Sequence, residues 1–434
     1  MPVPARTPLD PDPKVPQLNR SRSETRRERL SNPNDYPWLA ERLRATVDVA
    51  RYREAGLPNP VVAGRYLGDL AAELGAVSLS GGTIGDMVPP DFVRDAARDA
   101  VDSYPHYPGV GGYRDLRQAI AAKLERDNEI LADPEEELLP AIGCQQVIDF
   151  TCRILIDPGD EVLVFDPEYA STEPAVHLSG GRVVPVPLHW NGCDWRFDIG
   201  ALERRASARS KLLIISNPSN PTGIVYRRGE LEAIAELARD HDFWVFADEE
   251  YEKTLFDGVH HTSIAALPGM KERTVTGFSF SKPYAMTPYR IGYVVGPAPF
   301  IDHFHSLLRF SVQACPAVAM RAAYAILTGE MGPWLEASTA NLQAKRDELV
   351  ERLEALPGIT CNRPKGVYFV FPDVRGLGLT SFELARHLLL HGQVAVAPGS
   401  SFGEAGEGHL RISFCPALET IREGMDRFEA ALPG

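Results

Sequence analysis

The sequence predicts an α/β protein whose main domain holds a mostly parallel sheet sandwiched by helices, joined to a smaller α+β domain. Three observations support this prediction. Short β-rich runs alternate with helical runs through the centre of the chain, and the pattern changes after about residue 330. The chain also has 434 residues, which is more than one ordinary domain.

The strands of the main domain are short apolar runs bounded by turn residues. Four runs have this form: EVLVF (161–165), KLLIIS (211–216), FWVFAD (243–248) and TVTGFS (274–279). Helical segments lie between them, and one of these begins near Gly229. Strands that alternate with helices favour a parallel sheet covered on both faces.

The C-terminal region has a different order of elements, which indicates a small α+β domain. We predict a long helix over 334–356, a pair of strands around a turn in PGITCNRPKGVYFVFPDV (357–374), a helix over 382–390, and the strands VAVAP (394–398) and HLRISF (409–414).

The N-terminal region differs in composition from the rest of the chain. Residues 1–35 are rich in Pro, Arg and Ser without apolar periodicity, so we predict a disordered tail. Apolar residues then recur at helical spacing over 36–53, which predicts a helix. We expect segment 36–95 to contribute to the small domain, 96–330 to form the large domain and 331–434 the small C-terminal domain.

Composition disfavours several classes of protein. The net charge of −14 disfavours binding to nucleic acid or an anionic membrane. No apolar run approaches the ~20 residues that span a bilayer, and the N-terminus lacks a signal-peptide core. The six cysteines are scattered without a CxxC pair, which is typical of a cytoplasmic protein. Adjacent His260 and His261 have no third ligand nearby and are expected to be exposed, so we assign no metal.

Polar residues follow the predicted strands at the point where each strand ends. Asp248 ends one strand, Asn217 and Asn220 follow another, Tyr169 follows a third and Lys282 follows a fourth. Because ligands gather beyond the carboxyl ends of parallel strands, we expect these side chains to lie near one another.

Longer motifs extend this pattern along the chain. PGDEVLVFDPEY, SNPSNPTG, ADEEYEKTLFDG and SFSKPYAMTPYRIGY are preceded by YPGVGGYRDLR and AIGCQQ and followed by PKGVYFVF, PGSSFG and LRISF. Together they resemble the aminotransferase class I and II family over roughly residues 75–430, most closely its bacterial aspartate/prephenate aminotransferase branch. The resemblance implies a fold-type-I transferase that uses pyridoxal 5′-phosphate (PLP) to move an amino group between an α-amino acid and a 2-oxo acid.

The resemblance also implies which residues bind the cofactor ring. Lys282 would carry PLP as an internal aldimine and later move the proton of the substrate's α-carbon. The Asp248 carboxylate would face the ring nitrogen and keep it protonated. Tyr251 and Asn220 would hydrogen-bond the phenolic oxygen, and Tyr169 would stack on the ring.

The cofactor phosphate is expected at Gly143, Cys144 and Gln145. These residues open an apolar helical run, whose first N–H groups can face an anion. The resemblance adds further phosphate ligands, namely Ser279, Ser281, Arg290 and, from the neighbouring subunit, Tyr107. A tyrosine supplied by a neighbour implies a homodimer with shared active sites.

The substrate's α-carboxylate is expected at Arg411, with Asn220 beside it. The resemblance assigns this role to the arginine of LRISF, and a guanidinium matches a carboxylate in a two-pronged geometry that lysine cannot supply.

The sequence departs from the family pattern near the cofactor lysine and in the phosphate loop. Pro283 and Pro288 stiffen the segment between Lys282 and Arg290. Gln145 lies near a position where the closest branch often has a lysine that pairs with acidic side chains, which weakens the case for aspartate or glutamate.

Two other functions therefore remain open at this point. A PLP lyase or synthase of the same fold, catalysing elimination, replacement or cyclisation in specialised biosynthesis, would share nearly all of these residues. A regulator built on this fold would need a DNA-binding module, and the N-terminal segment is too short and irregular for one.

Overall fold

The structure is a computed structural model that describes residues 60–103 and 106–433. The predicted tail (1–35) and the predicted helix (36–53) lie outside the described residues. No helix in the described ranges combines the length and apolar character needed to cross a bilayer.

The elements follow one another in the predicted alternation. The first are α1 (Pro60–Leu74), β1 (Val77–Ser78), α2 (Asp91–Ser103), α3 (Arg114–Asn128), β2 (Leu138–Ala141) and α4 (Cys144–Leu155). Next come β3 (Glu161–Asp166), α5 (Thr172–Leu178), β4 (Arg182–Pro187), β5 (His189–Trp190), β6 (Trp195–Arg196), α6 (Ile199–Arg205), β7 (Ser210–Ser216), α7 (Arg228–Asp240), β8 (Trp244–Asp248), β9 (Thr274–Ser279) and β10 (Gly292–Val295). The last are α8 (Ala298–Ser311), α9 (Ala317–Thr328), α10 (Gly332–Glu354), β11 (Phe369–Val370), α11 (Ser381–Gly392), β12 (Val394–Ala395), β13 (Ala397–Pro398), β14 (Leu410–Ser413) and α12 (Leu418–Ala430).

The central sheet has seven strands in the order β2–β10–β9–β8–β7–β3–β4. Strands β4, β3, β7, β8 and β9 are parallel, whereas β10 is antiparallel to both β9 and β2. The carboxyl ends of the parallel strands and of β2 therefore lie at one edge of the sheet. This confirms the predicted α/β class and the four strands expected from the sequence.

Helices cover the sheet on both faces. On β3, Leu163 packs in the cluster that contains Ile234 of α7. The next residue, Val164, packs in the cluster that contains Val147 of α4. Successive side chains of a strand point to opposite faces, so burial on both faces explains why these runs are continuously apolar.

A separate core joins the N-terminal helix to the C-terminal elements. Leu67 and Leu70 of α1 pack with Leu349 of α10, Leu388 of α11 and Met425 of α12. In addition, β1 pairs in parallel with β12. The domain boundaries given above remain a prediction.

The pair of strands expected in 357–374 forms only in part: Thr360 and Asp373 exchange both backbone hydrogen bonds in an isolated antiparallel bridge, and the one regular strand there, β11, pairs with β14. Between the two ends, backbone groups bond to other parts of the chain. The N–H of Lys365, for example, donates to the carbonyl oxygen of Gly223 at 3.0 Å. Docking against the loop after β7 thus limits the hairpin to this one bridge.

Candidate active site

A cavity of about 340 Å³ opens at the sheet edge where the parallel strands end. Most side chains predicted from the sequence line it: Cys144, Gln145, Tyr169, Asn220, Asp248, Tyr251, Ser279, Ser281, Lys282, Arg290 and Arg411. Gly143 adjoins it, since a Cβ on this glycine would lie 2.7 Å from Nη2 of Arg290. Tyr107 is not brought to this cavity and is 86% exposed on the surface of the chain.

The register of the central strands places the ends of β7 and β8 and the last residues of β9 side by side at one edge of the sheet. Ser216 at the end of β7 pairs with Asp248 at the end of β8, which in turn pairs with Gly277 of β9. Beyond β9, a Cβ on Gly292 of β10 would lie 3.3 Å from the Cα of Gly143. The absence of a side chain at 292 therefore lets the loop after β2 approach the end of β9.

Lys282 lies in the loop that follows β9. Its Nζ donates a hydrogen bond to the carbonyl oxygen of Gly82 at 3.1 Å and lies 5.8 Å from the centre of the Tyr251 ring. The hydroxyl of Tyr368 donates to the backbone carbonyl of Lys282 and so holds the main chain at this point.

Asp248 presents a buried carboxylate. Its Oδ1 accepts hydrogen bonds from Sγ of Cys144 and from the backbone N–H of Glu250, each at 3.2 Å. Burial raises the pKa of Asp248 well above its ordinary value, and the charge of Glu250 raises it further. Burial, together with the charge of Asp248, also raises the pKa of the Cys144 thiol, which therefore keeps its proton. Gly277 makes room for this contact, because a Cβ there would lie 2.6 Å from Sγ.

The hydroxyl of Tyr251 is buried and has no hydrogen-bond partner among the described residues. Burial raises the pKa of Tyr251 well above its ordinary value, so the hydroxyl is neutral. The ring packs edge-on against Tyr368 with centroids 5.2 Å apart, which fixes its position. A rigid, buried and unpaired hydroxyl in a cavity wall is a donor available to a ligand.

Arg411 on β14 is held by aromatic and polar contacts. Its guanidinium lies 4.0 Å from the ring centre of Phe369 and 4.6 Å from that of Phe402. Nη1 donates to Oδ1 of Asn220 at 3.1 Å and Nη2 donates to the carbonyl of Ser80 at 2.9 Å. The buried Nε has no partner in the described part of the chain.

The loops after β2 and β9 form an anion site at another part of the wall. Helix α4 begins at Cys144, and Gly143 before it has a φ of 71°, which glycine adopts without strain. Nη1 of Arg290 donates to Oγ of Ser281 at 3.4 Å, and the N–H of Ser281 donates to Oγ of Ser279 at 3.0 Å. A helix N-terminus, two hydroxyls and a guanidinium together favour phosphate.

Tyr169 is tied to both neighbouring loops. Its hydroxyl donates to Oε1 of Gln145 at 3.3 Å. Its backbone N–H donates to Glu168 at 2.7 Å, and the same carboxylate accepts a hydrogen bond from Oγ of Ser216 at 2.8 Å. Burial raises the pKa of Glu168 to about 7.

Sequence reasoning missed Glu250, the loop 80–82 and three further side chains of the wall, Ile148, Thr287 and Phe369. The motif DEEYE showed three consecutive carboxylates, but sequence alone does not tell which of them face a ligand. The loop 80–82 precedes β2 and carries only serine and glycine, so its composition gave no sign of a site.

Glu249 and Glu252, the other glutamates of DEEYE, bond to residues behind the cavity. Glu249 accepts hydrogen bonds from Nε2 of His261, at 2.8 Å, and from the hydroxyl of Ser263. Glu252 pairs with the buried Lys123. The expectation that both histidines are exposed is wrong for His261, whose side chain is 6% exposed. The described residues contain no group of side chains arranged to hold a metal ion.

Comparison with known proteins gives consistent results. The family model for aminotransferase class I and II matches residues 76–428. The chain is 37% identical over 371 residues to an aspartate aminotransferase of Pyrococcus abyssi, covering 85% of this chain and 95% of that protein. It is 37% identical over 352 residues to an arginine–pyruvate transaminase of Pseudomonas aeruginosa, covering 80% and 88%. An aromatic aminotransferase structure from Pyrococcus horikoshii matches with a TM-score of 0.80 at 36% identity, covering 84% and 98%.

Proposed function

This chain belongs to the aminotransferase class I and II family and is a PLP-dependent transferase of amino groups, and from that premise we propose how its residues perform the transfer. One observation carries the proposal: the fixed guanidinium of Arg411 and the amine of Lys282 line the same cavity. The relatives named above are all aminotransferases, and none of the findings favours a lyase or synthase.

The cavity fits PLP. Its volume lies within the roughly 300–1,000 Å³ of small-molecule sites. It offers an anion site, a buried carboxylate at Asp248 and the unpaired hydroxyl of Tyr251. When bound, PLP supplies a ring that withdraws negative charge from the substrate's α-carbon.

The ring would be held by residues from three strand ends. Asp248 would pair with the ring nitrogen, and the Cys144 thiol orients its carboxylate. Tyr251 would donate to the phenolic oxygen, as would Nδ2 of Asn220, because Oδ1 of that residue already accepts from Arg411.

The remaining contacts would cover the ring and hold the phosphate. Tyr169 would cover one face of the ring, because its hydroxyl is tied to Gln145. The N-terminus of α4, which Gly143 and Cys144 open, would face the phosphate together with Ser279, Ser281 and Arg290.

Lys282 would hold the cofactor covalently through Nζ and, once released, act as the base. Its Nζ would accept the proton that leaves the substrate's α-carbon. The carbonyl oxygen of Gly82 accepts a hydrogen bond from Nζ at 3.1 Å and so holds the amine at the cavity wall, within reach of a bound substrate.

Arg411 would bind the substrate's α-carboxylate. The two phenylalanines and two oxygen acceptors fix the guanidinium before substrate arrives, so little side-chain entropy is lost on binding. A carboxylate fixed at this point orients the α-carbon relative to Lys282, and orientation of this kind lowers the barrier to proton removal.

We further propose that the substrate has a neutral side chain. Among the described residues that line the cavity, the cations are Lys282, Arg290 and Arg411, and each already has a role. Gln145 is neutral, so the described lining offers no further cation to pair with a second carboxylate. The relatives named above differ in their amino acid, so the comparisons leave this choice open.

Single-turnover assays test the proposed function. Purified protein loaded with PLP is mixed with one amino acid and no acceptor. We expect one equivalent of 2-oxo acid per site, with neutral amino acids reacting faster than aspartate, and we expect Gln145→Lys to raise kcat/KM for aspartate. Release of ammonia would contradict aminotransfer, and a preference for aspartate in the unaltered protein would contradict the substrate class.

The proposal includes a homodimer in which Tyr107 serves the neighbouring subunit. Phe310 is 83% exposed and Tyr107 is 86% exposed, so both are available to a partner. Hybrid dimers of a Tyr107→Ala chain and a Lys282→Ala chain test it. One site of each hybrid would combine an intact Lys282 with an intact Tyr107, so activity should recover on mixing. A monomer, or a mixture no more active than the Tyr107→Ala protein that it contains, would contradict it.

A cytoplasmic location is also part of the proposal. All six cysteines are free and only Cys193 is exposed. Absence of disulfides suits a reducing compartment. Cell fractionation would test it, and recovery in an exported fraction would contradict it.

A further inference from the structure

Glu250 is a carboxylate in the cavity wall that has no assigned role. It is partly exposed in the cavity wall, and its carboxylate forms no hydrogen bond and no direct salt bridge with any described residue. Burial raises the pKa of Glu250, while the charges of Lys282 and Arg290 lower it. The two cations that favour its charge, Lys282 and Arg290, are thus the ones that a phosphorylated cofactor would engage.

The position of Glu250 follows from how its neighbours are anchored. Glu249 is bonded to His261, and Glu252 is paired with Lys123, both behind the cavity. These anchors leave Asp248, Glu250 and Tyr251 in the cavity wall.

We propose that Glu250 is the counter-ion of Lys282 and Arg290 in the cofactor-free site, and that it takes up a proton from solvent when PLP binds. This inference rests on the proposed function. Bound phosphate would offset the charge of Arg290. Attachment of the Lys282 amine to the cofactor's aldehyde, with loss of water and of the ammonium's proton, would replace the free ammonium, so both charges that favour ionised Glu250 would be weakened.

The proton goes to Glu250 rather than to Asp248. The charge of Glu250 raises the pKa of Asp248, so ionisation of both carboxylates in the one cavity is disfavoured. The ring nitrogen would stabilise the charge of Asp248, whereas no residue in the described part of the chain bonds to the Glu250 carboxylate. Protonation of Glu250 therefore leaves the charge at Asp248.

Linkage turns this into a measurable pH dependence. Above the pKa of Glu250 in the cofactor-free site, PLP binding requires proton uptake, so affinity falls as pH rises. The Glu250→Gln protein cannot take up this proton. The ratio of its PLP affinity to that of the unaltered protein should therefore rise with pH, toward a limit of about tenfold per pH unit for one linked proton.

The experiment measures the dissociation constant of PLP for the full-length protein, freed of cofactor, from pH 6 to 8.5. Both proteins keep the other titratable groups of the cavity, so the effects of these groups largely cancel in the ratio: Cys144, Tyr169, Asp248, Tyr251, Lys282, Arg290 and Arg411. We expect the ratio to rise at least threefold over this pH range, which is the change that one fully linked proton gives over about half a pH unit. Calorimetry in two buffers should show less proton uptake by Glu250→Gln.

Two further variants complete the test. Glu250→Asp keeps the carboxylate and should keep the pH dependence of the unaltered protein. Asp149→Asn removes one negative charge from a second, neighbouring pocket that Arg290 also lines. The ratio of its PLP affinity to that of the unaltered protein should not change with pH. A flat ratio for Glu250→Gln would overturn the inference alone. Failure of the unaltered protein to bind PLP at all would overturn the proposed function with it.

Discussion

Replacing Arg411 with lysine tests the proposed substrate clamp. Lysine keeps the positive charge but loses the planar fork. In the structure that fork reaches Asn220 and Ser80 while stacking on two rings. An ammonium cannot keep these contacts and still present two parallel N–H groups to a carboxylate.

The expected loss can be estimated from the contacts. One hydrogen bond to a charged group contributes about 1.5–3 kcal/mol. If the variant loses one of the two bonds to the substrate carboxylate, kcat/KM for the amino acid falls by roughly 10- to 150-fold. Affinity for PLP should change little, because Arg411 is assigned to the substrate.

Stopped-flow measurement of the reaction with amino acid, followed by cofactor absorbance, gives kcat/KM directly. Arg375→Lys is the matched control, because Arg375 is 59% exposed and pairs with Asp373 outside the cavity. A kcat/KM within threefold of the unaltered protein would refute the reasoning. A parallel loss of PLP affinity would assign the arginine to the cofactor instead.

Three further predictions concern stability and packing. Asp257→Asn removes the carboxylate that pairs with the buried Arg346, and should lower the free energy of unfolding by ~2 kcal/mol at pH 7. The hydrogen bond from Arg346 holds the pKa of Asp257 well below its ordinary value, so this difference should begin to shrink as pH falls below ~4 and disappear only as pH passes through the lower pKa of the folded protein; urea unfolding at pH 7 and at a series of pH values below 4 checks it. Burial raises the pKa of Glu168 to about 7. The free energy of unfolding of the unaltered protein should therefore fall by ~1–3 kcal/mol relative to that of Glu168→Gln between pH 5 and 8. Urea unfolding that gives the same difference between the two proteins at every pH would contradict this. Gly277→Ala places a Cβ 2.6 Å from Sγ of Cys144 and should lower the free energy of unfolding by ~1–3 kcal/mol. Adding Cys144→Ala removes the clash and should restore part of this loss in thermal unfolding. If the losses of the two single variants simply add in the double variant, the contact is not the cause.

The strands and the residues after them could be predicted because buried parallel strands are apolar on both faces. Runs such as KLLIIS therefore stand out from their surroundings, and a polar residue at the end of a run, such as Asp248, marks the ligand edge. The quoted motifs then supplied roles that spacing alone does not.

Contacts between distant segments were beyond sequence reasoning. The thiol of Cys144 reaches Asp248 across 104 positions, and nothing local to either residue indicates this. The burial of His261 depends on Glu249, and the position of Glu250 depends on the anchoring of its neighbours. The hairpin expected in 357–374 is reduced to a single bridge for the same reason, since the backbone between its ends bonds to a loop more than a hundred residues earlier in the chain.

The covalent attachment of PLP can be located by borohydride reduction of the loaded protein, followed by proteolysis and mass spectrometry. The chain has eight lysines, so seven serve as internal controls. We expect the reduced pyridoxyl group on the peptide that contains Lys282 and on no other, and no label in the Lys282→Ala protein. A label on a different lysine, or none in the unaltered protein, would contradict the account.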